Sequence, residues 1–147
     1  MKTISNIPGA TLVRSFAALL LGAAMLLPMS NVHSADATVQ TTGGITHASG
    51  GVGDDSIARL EALAKNFNLK LVFALQSGNY VSDVKVVIAD AKGKTLLDAA
   101  SAGPWFLVKL PAGNYQVVAT FEGKAVKRPV TVGTAKLQTV DFRWAAE

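Results

Sequence analysis

From Asn68 onward the hydrophobic pattern repeats every second residue, and that period constrains the fold more than any other feature. Successive side chains of an extended strand point to opposite faces, so alternation marks a strand with one face buried. Leu69, Leu71, Phe73 and Leu75 alternate with Lys70, Val72, Ala74 and Gln76. After a turn at Ser77-Gly78-Asn79, Val84, Val86 and Ile88 share a second face. Thr95–Ser101 is a weaker third segment. Trp105–Leu110 is a fourth, with Phe106, Val108 and Leu110 together and Trp105 on the opposite side. Tyr115–Phe121, Val126–Val132 and Leu137–Trp144 complete the set. Short strands separated by turn signals every 8–12 residues or so are the pattern of a sandwich, two sheets burying their inward faces against each other. The expected fold is all-β: a seven-stranded antiparallel β-sandwich over residues 68–147.

The turns carry their own chemistry. Asp90-Ala91-Lys92-Gly93 has Asp at the favoured first position and Gly where a positive φ is needed. Leu110-Pro111-Ala112-Gly113 reads as a three-residue hairpin loop, with proline fixing φ near about −65° and glycine in a left-handed bulge. Gly123-Lys124 reads as a tight two-residue II′ turn.

Upstream the pattern changes. Ile57, Leu60, Leu63, Ala64 and Phe67 recur at helical spacing and predict a short amphipathic helix over 54–67, capped by Asp54 or Asp55. A helix this short must pack on something to persist. Residues 38–53 hold five glycines and four threonines with no hydrophobic period, the composition of a flexible arm.

Residues 1–37 have the layout of a signal peptide. Lys2 and Arg14 precede or flank a 12-residue apolar run, Phe16–Leu27, and the first acidic residue is Asp36. The run is shorter than the roughly 20 residues that span a bilayer and matches a secretory apolar region. Pro28 ends it, and small residues allow cleavage after Ser34 or Ala37. The expected location is therefore periplasmic or secreted, with no stable membrane insertion. Removing Lys2, Arg14 and Asp36 leaves twelve basic and nine acidic side chains, a net +3. So mild an excess favours solubility, not nucleic-acid binding. The chain has no cysteine, which excludes disulfides, cysteine-based metal sites, thiol nucleophiles and a lipidated N-terminus.

Val84-Lys85-Val86-Val87-Ile88, Asp90-Ala91-Lys92-Gly93, Gly103, Leu110-Pro111-Ala112-Gly113-Asn114-Tyr115 and Gly123 together resemble a carboxypeptidase regulatory-like module of the transthyretin (prealbumin) type, over roughly residues 68–144. The resemblance departs at Ala102-Gly103-Pro104, where members of that group often carry an acidic residue beside the glycine. It implies a sandwich fold and an auxiliary, non-catalytic role, and it transfers no catalytic residue. The related purine-pathway hydrolases end in Tyr-Arg-Gly-Ser, whereas this chain ends Arg143-Trp144-Ala145-Ala146-Glu147.

Catalytic residue types are sparse. His47 falls in the glycine-rich arm, where a lone histidine is solvated, and a zinc site or serine relay would need further partners. Asp54-Asp55 could pair as acid and base, but at a helix start they serve the helix. Gly50-Gly51-Val52-Gly53 before that helix is no phosphate cradle, because the two aspartates oppose an anion. The expected role is non-enzymatic: an exported module without cofactor or metal, which binds or scaffolds an envelope protein or a glycan; the alternatives are carbohydrate or peptidoglycan binding through exposed aromatics and, last, a hydrolase using Asp54 and Asp55. The sequence leaves its oligomeric state open. Two surface groups stand out. Trp105 and Tyr80 are candidate stacking residues for a carbohydrate, and Lys124, Lys127, Arg128 and Lys136 are a candidate basic patch, which also reads as protection of an edge strand.

Overall fold

A computed structural model describes residues 38–134 and 136–145. The signal peptide expected over 1–37 lies outside the described residues. These residues form nine strands and one helix in two sheets. The order is β1 (Gln40–Thr42), β2 (Ile45–Gly50), α1 (Asp54–Ala64), β3 (Leu69–Leu75), β4 (Lys85–Asp90), β5 (Thr95–Ala100), β6 (Trp105–Lys109), β7 (Gly113–Phe121), β8 (Lys124–Val132) and β9 (Gln138–Trp144). One sheet runs β1-β2-β6-β3-β9, the other β5-β4-β7-β8. The expected count of seven strands is not met: there are nine among the described residues, because two more come from the segment read as a flexible arm. Pairing is antiparallel except between β3 and β9, which run parallel, Leu71 opposite Val140 and Phe73 opposite Phe142.

One apolar interior joins the sheets. The five-stranded sheet contributes Leu69, Leu71, Phe73, Phe106, Val108, Phe142 and Trp144. The four-stranded sheet contributes Val86, Ile88, Leu97, Tyr115, Val117, Ala119, Val130 and Val132. These are the alternating positions of the sequence pattern, and each large side chain removed from water adds roughly 1.5–3 kcal/mol. Phe73, Phe121 and Phe142 gather round Trp144, whose indole Nε1 donates to the Lys124 carbonyl at 2.9 Å, linking β9 to the start of β8.

The arm orders because β2 has a partner. It pairs with β6 from Thr46–Lys109 to Gly50–Trp105, and β1 folds back on it. His47 and Ser49 share the inward face with Phe106 and Val108, and Ala48 faces outward beside Leu107. No hydrophobic period announced this strand because its inward residues are a histidine and a serine.

Three local expectations need correction. The Leu110–Gly113 segment is not a hairpin, since β6 and β7 belong to different sheets. Gly113 has no positive φ and opens β7. The crossing is held by side chains. Asn68 Nδ2 donates to the Leu110 carbonyl at 2.6 Å, Asn68 Oδ1 accepts from the Leu110 N–H at 2.9 Å, and the Tyr115 hydroxyl donates to the Pro111 carbonyl. The β7–β8 turn is Glu122-Gly123, both at positive φ (47° and 79°), the signature of a I′ rather than a II′ turn. The helix ends at Ala64, three residues earlier than its apolar pattern. Gly53 occupies its N-cap with no side-chain cap bond, while Asp54 and Asp55 sit in the first turn, where negative charge complements the helix dipole.

The Asp90 turn forms as its sequence requires. Asp90 Oδ1 accepts from the N–H groups of Lys92 and Lys94, both at 2.9 Å, and Gly93 sits at φ 84°.

Candidate surface site on the five-stranded sheet

The helix decides which outer surface remains open. Leu60 and Phe67 bury against Ala48 and Leu107, with Leu63, Ala64 and Trp105 packed around them. Helix α1 therefore covers the outward face of β2 and β6, and the outward positions of β3 and β9 lie beside it.

Strand register arranges those positions in rows. Leu107, Lys70 and Thr139 form one, and Trp105, Val72 and Asp141 the next. Ala74 then bridges to Tyr80 on one side and pairs with Arg143 on the other. Partners across a strand pair present their side chains to the same face. Tyr80 and Trp105 thus share the outward face, opposite β3 residues two apart, or about 6.8 Å along the strand. Tyr80 is 64% exposed, whereas Ala74 beneath it is buried. Asp141 and Arg143 are exposed, and the Arg143 guanidinium reaches back to the Leu75 carbonyl at 3.4 Å.

Trp105, named with Tyr80 as a candidate stacking residue, is not an open platform. It is half-buried, with Gly51 close against its Cγ side and the Lys70 ammonium 3.2 Å above the ring centroid. That is a cation–π contact. Burial lowers the Lys70 pKa from its ordinary value, and the charges of Glu61 and Asp141 oppose the shift. Partial desolvation so disfavours the ammonium, and the two carboxylates help to hold it charged.

The other sequence candidates fall elsewhere. Lys124, Lys127 and Arg128 are exposed on β8, the free edge of the four-stranded sheet, and Lys136 lies in the loop leading to β9. Register puts Arg128 in the inward row, opposite Val117, with its guanidinium 5.9 Å from the Phe142 ring centroid. Lys127, opposite Val118, points the other way. The four cations do not converge on one spot. Pro129, which cannot donate to a ladder, sits on the same strand. An inward charge, a lysine and a proline are the devices that stop an edge strand from recruiting another.

His47 is neither mobile nor solvated. It is 3% exposed, stacked on Phe106 at 5.3 Å between centroids, with Nε2 3.1 Å from the Thr42 hydroxyl. Burial lowers its pKa from the ordinary value. Asp54 and Asp55 stay in the first turn of α1, which packs on the outward face of β2, whereas His47 is on the inward face. Among the described residues no group of three or more His, Asp or Glu is arranged to hold a metal ion. No helix among them is long and apolar enough to cross a membrane.

Lys70, Asp141 and Arg143 were missed by sequence reasoning. Each occupies an ordinary polar position in an alternating strand. Only the parallel pairing of β3 with β9 brings them together, and two distant segments carry no local signal for it. No known protein-family model matches the chain, and no curated protein matches it.

Proposed function

We propose that the chain is an exported β-sandwich module of the carboxypeptidase regulatory-like type that works by binding or scaffolding, with no catalytic role. The observation that carries this reading is the outward strip on β3 and β9. It collects an exposed tyrosine, a tryptophan, two cations and an aspartate on a rigid sheet beside a docked helix. Such sites on strands hold geometry better than sites on loops. His47, walled in against Phe106, cannot reach a substrate without unfolding β1 and β2. The recognition surface is then the outward strip of this sheet beside α1.

The test is photocrosslinking in intact cells, with a photoreactive amino acid at position 80 of the full-length chain. A discrete adduct is expected, together with recovery of the chain in the osmotic-shock fraction or the medium. Its N-terminus is expected at Ala35 or Thr38. Retention in the cytoplasm with Met1 intact, or no adduct under any growth condition, would refute the proposal. A second reading, binding of a carbohydrate or peptidoglycan, is favoured by one specific observation, that Tyr80 and Trp105 occupy the same sheet face.

A further inference from the structure

Resting on the reading of this chain as a binding module, we propose that Tyr80, Asp141, Arg143 and the indole of Trp105 form a subsite for a neutral glycan segment, opened by displacement of Lys70. Tyr80 is the exposed entrance, and Ala74, which stands between it and Arg143 in the row, is covered by its neighbours. Two strand spacings, about 9.6 Å, separate the Tyr80 and Arg143 backbones. A pyranose ring offers one face of C–H bonds, which stacks on an aromatic ring, and a rim of hydroxyls. Arg143 donates to hydroxyl oxygens and Asp141 accepts from hydroxyl hydrogens, each through a planar, two-toothed group.

The charges select the ligand class. Lys70 and Arg143 are balanced on this strip by Glu61 and Asp141. A surface without net charge gains little from a polyanion and pays no penalty with an uncharged polyol. The basic side chains that would suit a polyanion lie on β8 and the loop after it, outside the strip.

Lys70 sets the order of events. Its ammonium lies over the Trp105 ring face, which a second sugar must take to stack there. Glu61 and Asp141 both attract that ammonium. Sugar stacking and the lysine–indole contact are therefore mutually exclusive, and occupancy of the site is reported by Trp105. The only other tryptophan, Trp144, is buried in the core with its Nε1 held by Lys124 and serves as an internal reference.

The experiment is a tryptophan-emission titration of the folded chain with chitotetraose, cellotetraose and tetragalacturonate. At least one of the two neutral tetramers is expected to shift the emission saturably, and the anionic tetramer is not. Tyr80→Ala should weaken binding about 10-fold or more, as loss of an aromatic anchor does, and Tyr80→Phe should retain it. Lys70→Ala should tighten binding by about 3-fold, since the competing cation–π contact is gone. Far-UV spectra of the variants check the fold. The inference is overturned if neither neutral tetramer binds by about 10 mM, if only tetragalacturonate binds, or if Tyr80→Ala binds as well as wild type. Sugar-blind protein that still yields a protein adduct from position 80 overturns the glycan subsite and leaves the binding reading standing. Loss of both signals refutes the two together.

Discussion

Gly103 is the position where the smallest substitution should do the greatest damage. It lies in the segment before β6, where a resemblance based on sequence would have placed an acidic turn. A Cβ added there would stand 2.2 Å from the Gly50 carbonyl oxygen, 2.4 Å from the Gly50 carbonyl carbon and 2.8 Å from its Cα. All three are backbone atoms at the end of β2, so no side chain can rotate away. Restoring an ordinary contact of at least 3.4 Å to that oxygen requires a displacement of roughly 1 Å between β2 and the segment entering β6. That displacement works against the β2–β6 ladder, the Ala102 N–H bond to Ser49 Oγ at 3.0 Å and the Ser101 hydroxyl bond to the Gly103 carbonyl. Overpacking of a tight site costs about 1–3 kcal/mol and occasionally more. An unyielding backbone wall places Gly103→Ala at the top of that range, about 3 kcal/mol. The control is Gly133→Ala, where nothing lies within 4 Å of the new methyl and φ is not positive. There the expected change is neutral to mildly stabilising, within about 1 kcal/mol, because alanine restricts the unfolded chain. Urea unfolding of both variants beside wild type decides the matter. Equal midpoints for Gly103→Ala and Gly133→Ala would refute the close approach of β2 to the β6 entry.

Two further predictions concern β-hairpins. Glu122 holds φ 47° in the β7–β8 turn, where asparagine or glycine is preferred; Glu122→Asn should raise stability by about 0.5–1 kcal/mol, and a lower thermal midpoint would count against the I′ assignment. His47, whose folded pKa is depressed by burial below its unfolded value near 6.5, should stabilise the fold fully above that unfolded pKa and lose the contribution as pH falls toward the folded pKa, because the unfolded chain then binds a proton that the folded chain does not. Urea midpoints from pH 7.5 to 4.5 should therefore fall more steeply for wild type than for His47→Gln, and parallel profiles would show that His47 does not titrate differently in the fold.

Most of the strand content was legible because its chemistry is local. Leu69, Leu71 and Phe73, or Val84, Val86 and Ile88, declare a buried face by alternation alone, and each does lie in the interior. Asp90 declares its turn because the aspartate and Gly93 act within four residues. The failures share a cause. β2 was hidden because its inward positions, His47 and Ser49, are polar and become acceptable in a core only through Phe106, Thr42 and the Ala102 N–H, contacts supplied largely from elsewhere in the chain. The Leu110–Gly113 segment looked like a hairpin because proline and glycine specify a bend without specifying which sheet the chain enters next. Asn68 makes that choice, by taking both backbone hydrogen-bonding groups of Leu110 from across the fold. The surface strip was half legible. Tyr80 and Trp105 could be picked as aromatics, but their common face follows from the antiparallel β3–β6 pairing and the Ala74–Tyr80 bridge, and their polar neighbours Asp141 and Arg143 from the parallel β3–β9 pairing.

The placement of basic residues separates two uses of charge. On β8 the charges answer a problem that every open sheet has, an unpaired row of N–H and C=O groups. Arg128 is turned toward the interior at Phe142, Lys127 faces outward and Pro129 withholds a donor, so a strand arriving at this edge meets a cation on each face and a gap in the ladder. That explanation accounts for the cations on β8 without any ligand. Lys70 faces no such problem, since β3 lies between β6 and β9; Arg143 lies on β9, itself an edge of the five-stranded sheet, and edge protection accounts for it as it does for the β8 cations. A lysine partly withdrawn from water over an indole has lost hydration that an ordinary surface lysine keeps, offset here by the cation–π contact and by the charges of Glu61 and Asp141. Edge protection thus explains the cations on β8 and β9 but not Lys70, and under the proposed binding role it is beside Lys70 and Trp105 that a ligand is to be sought.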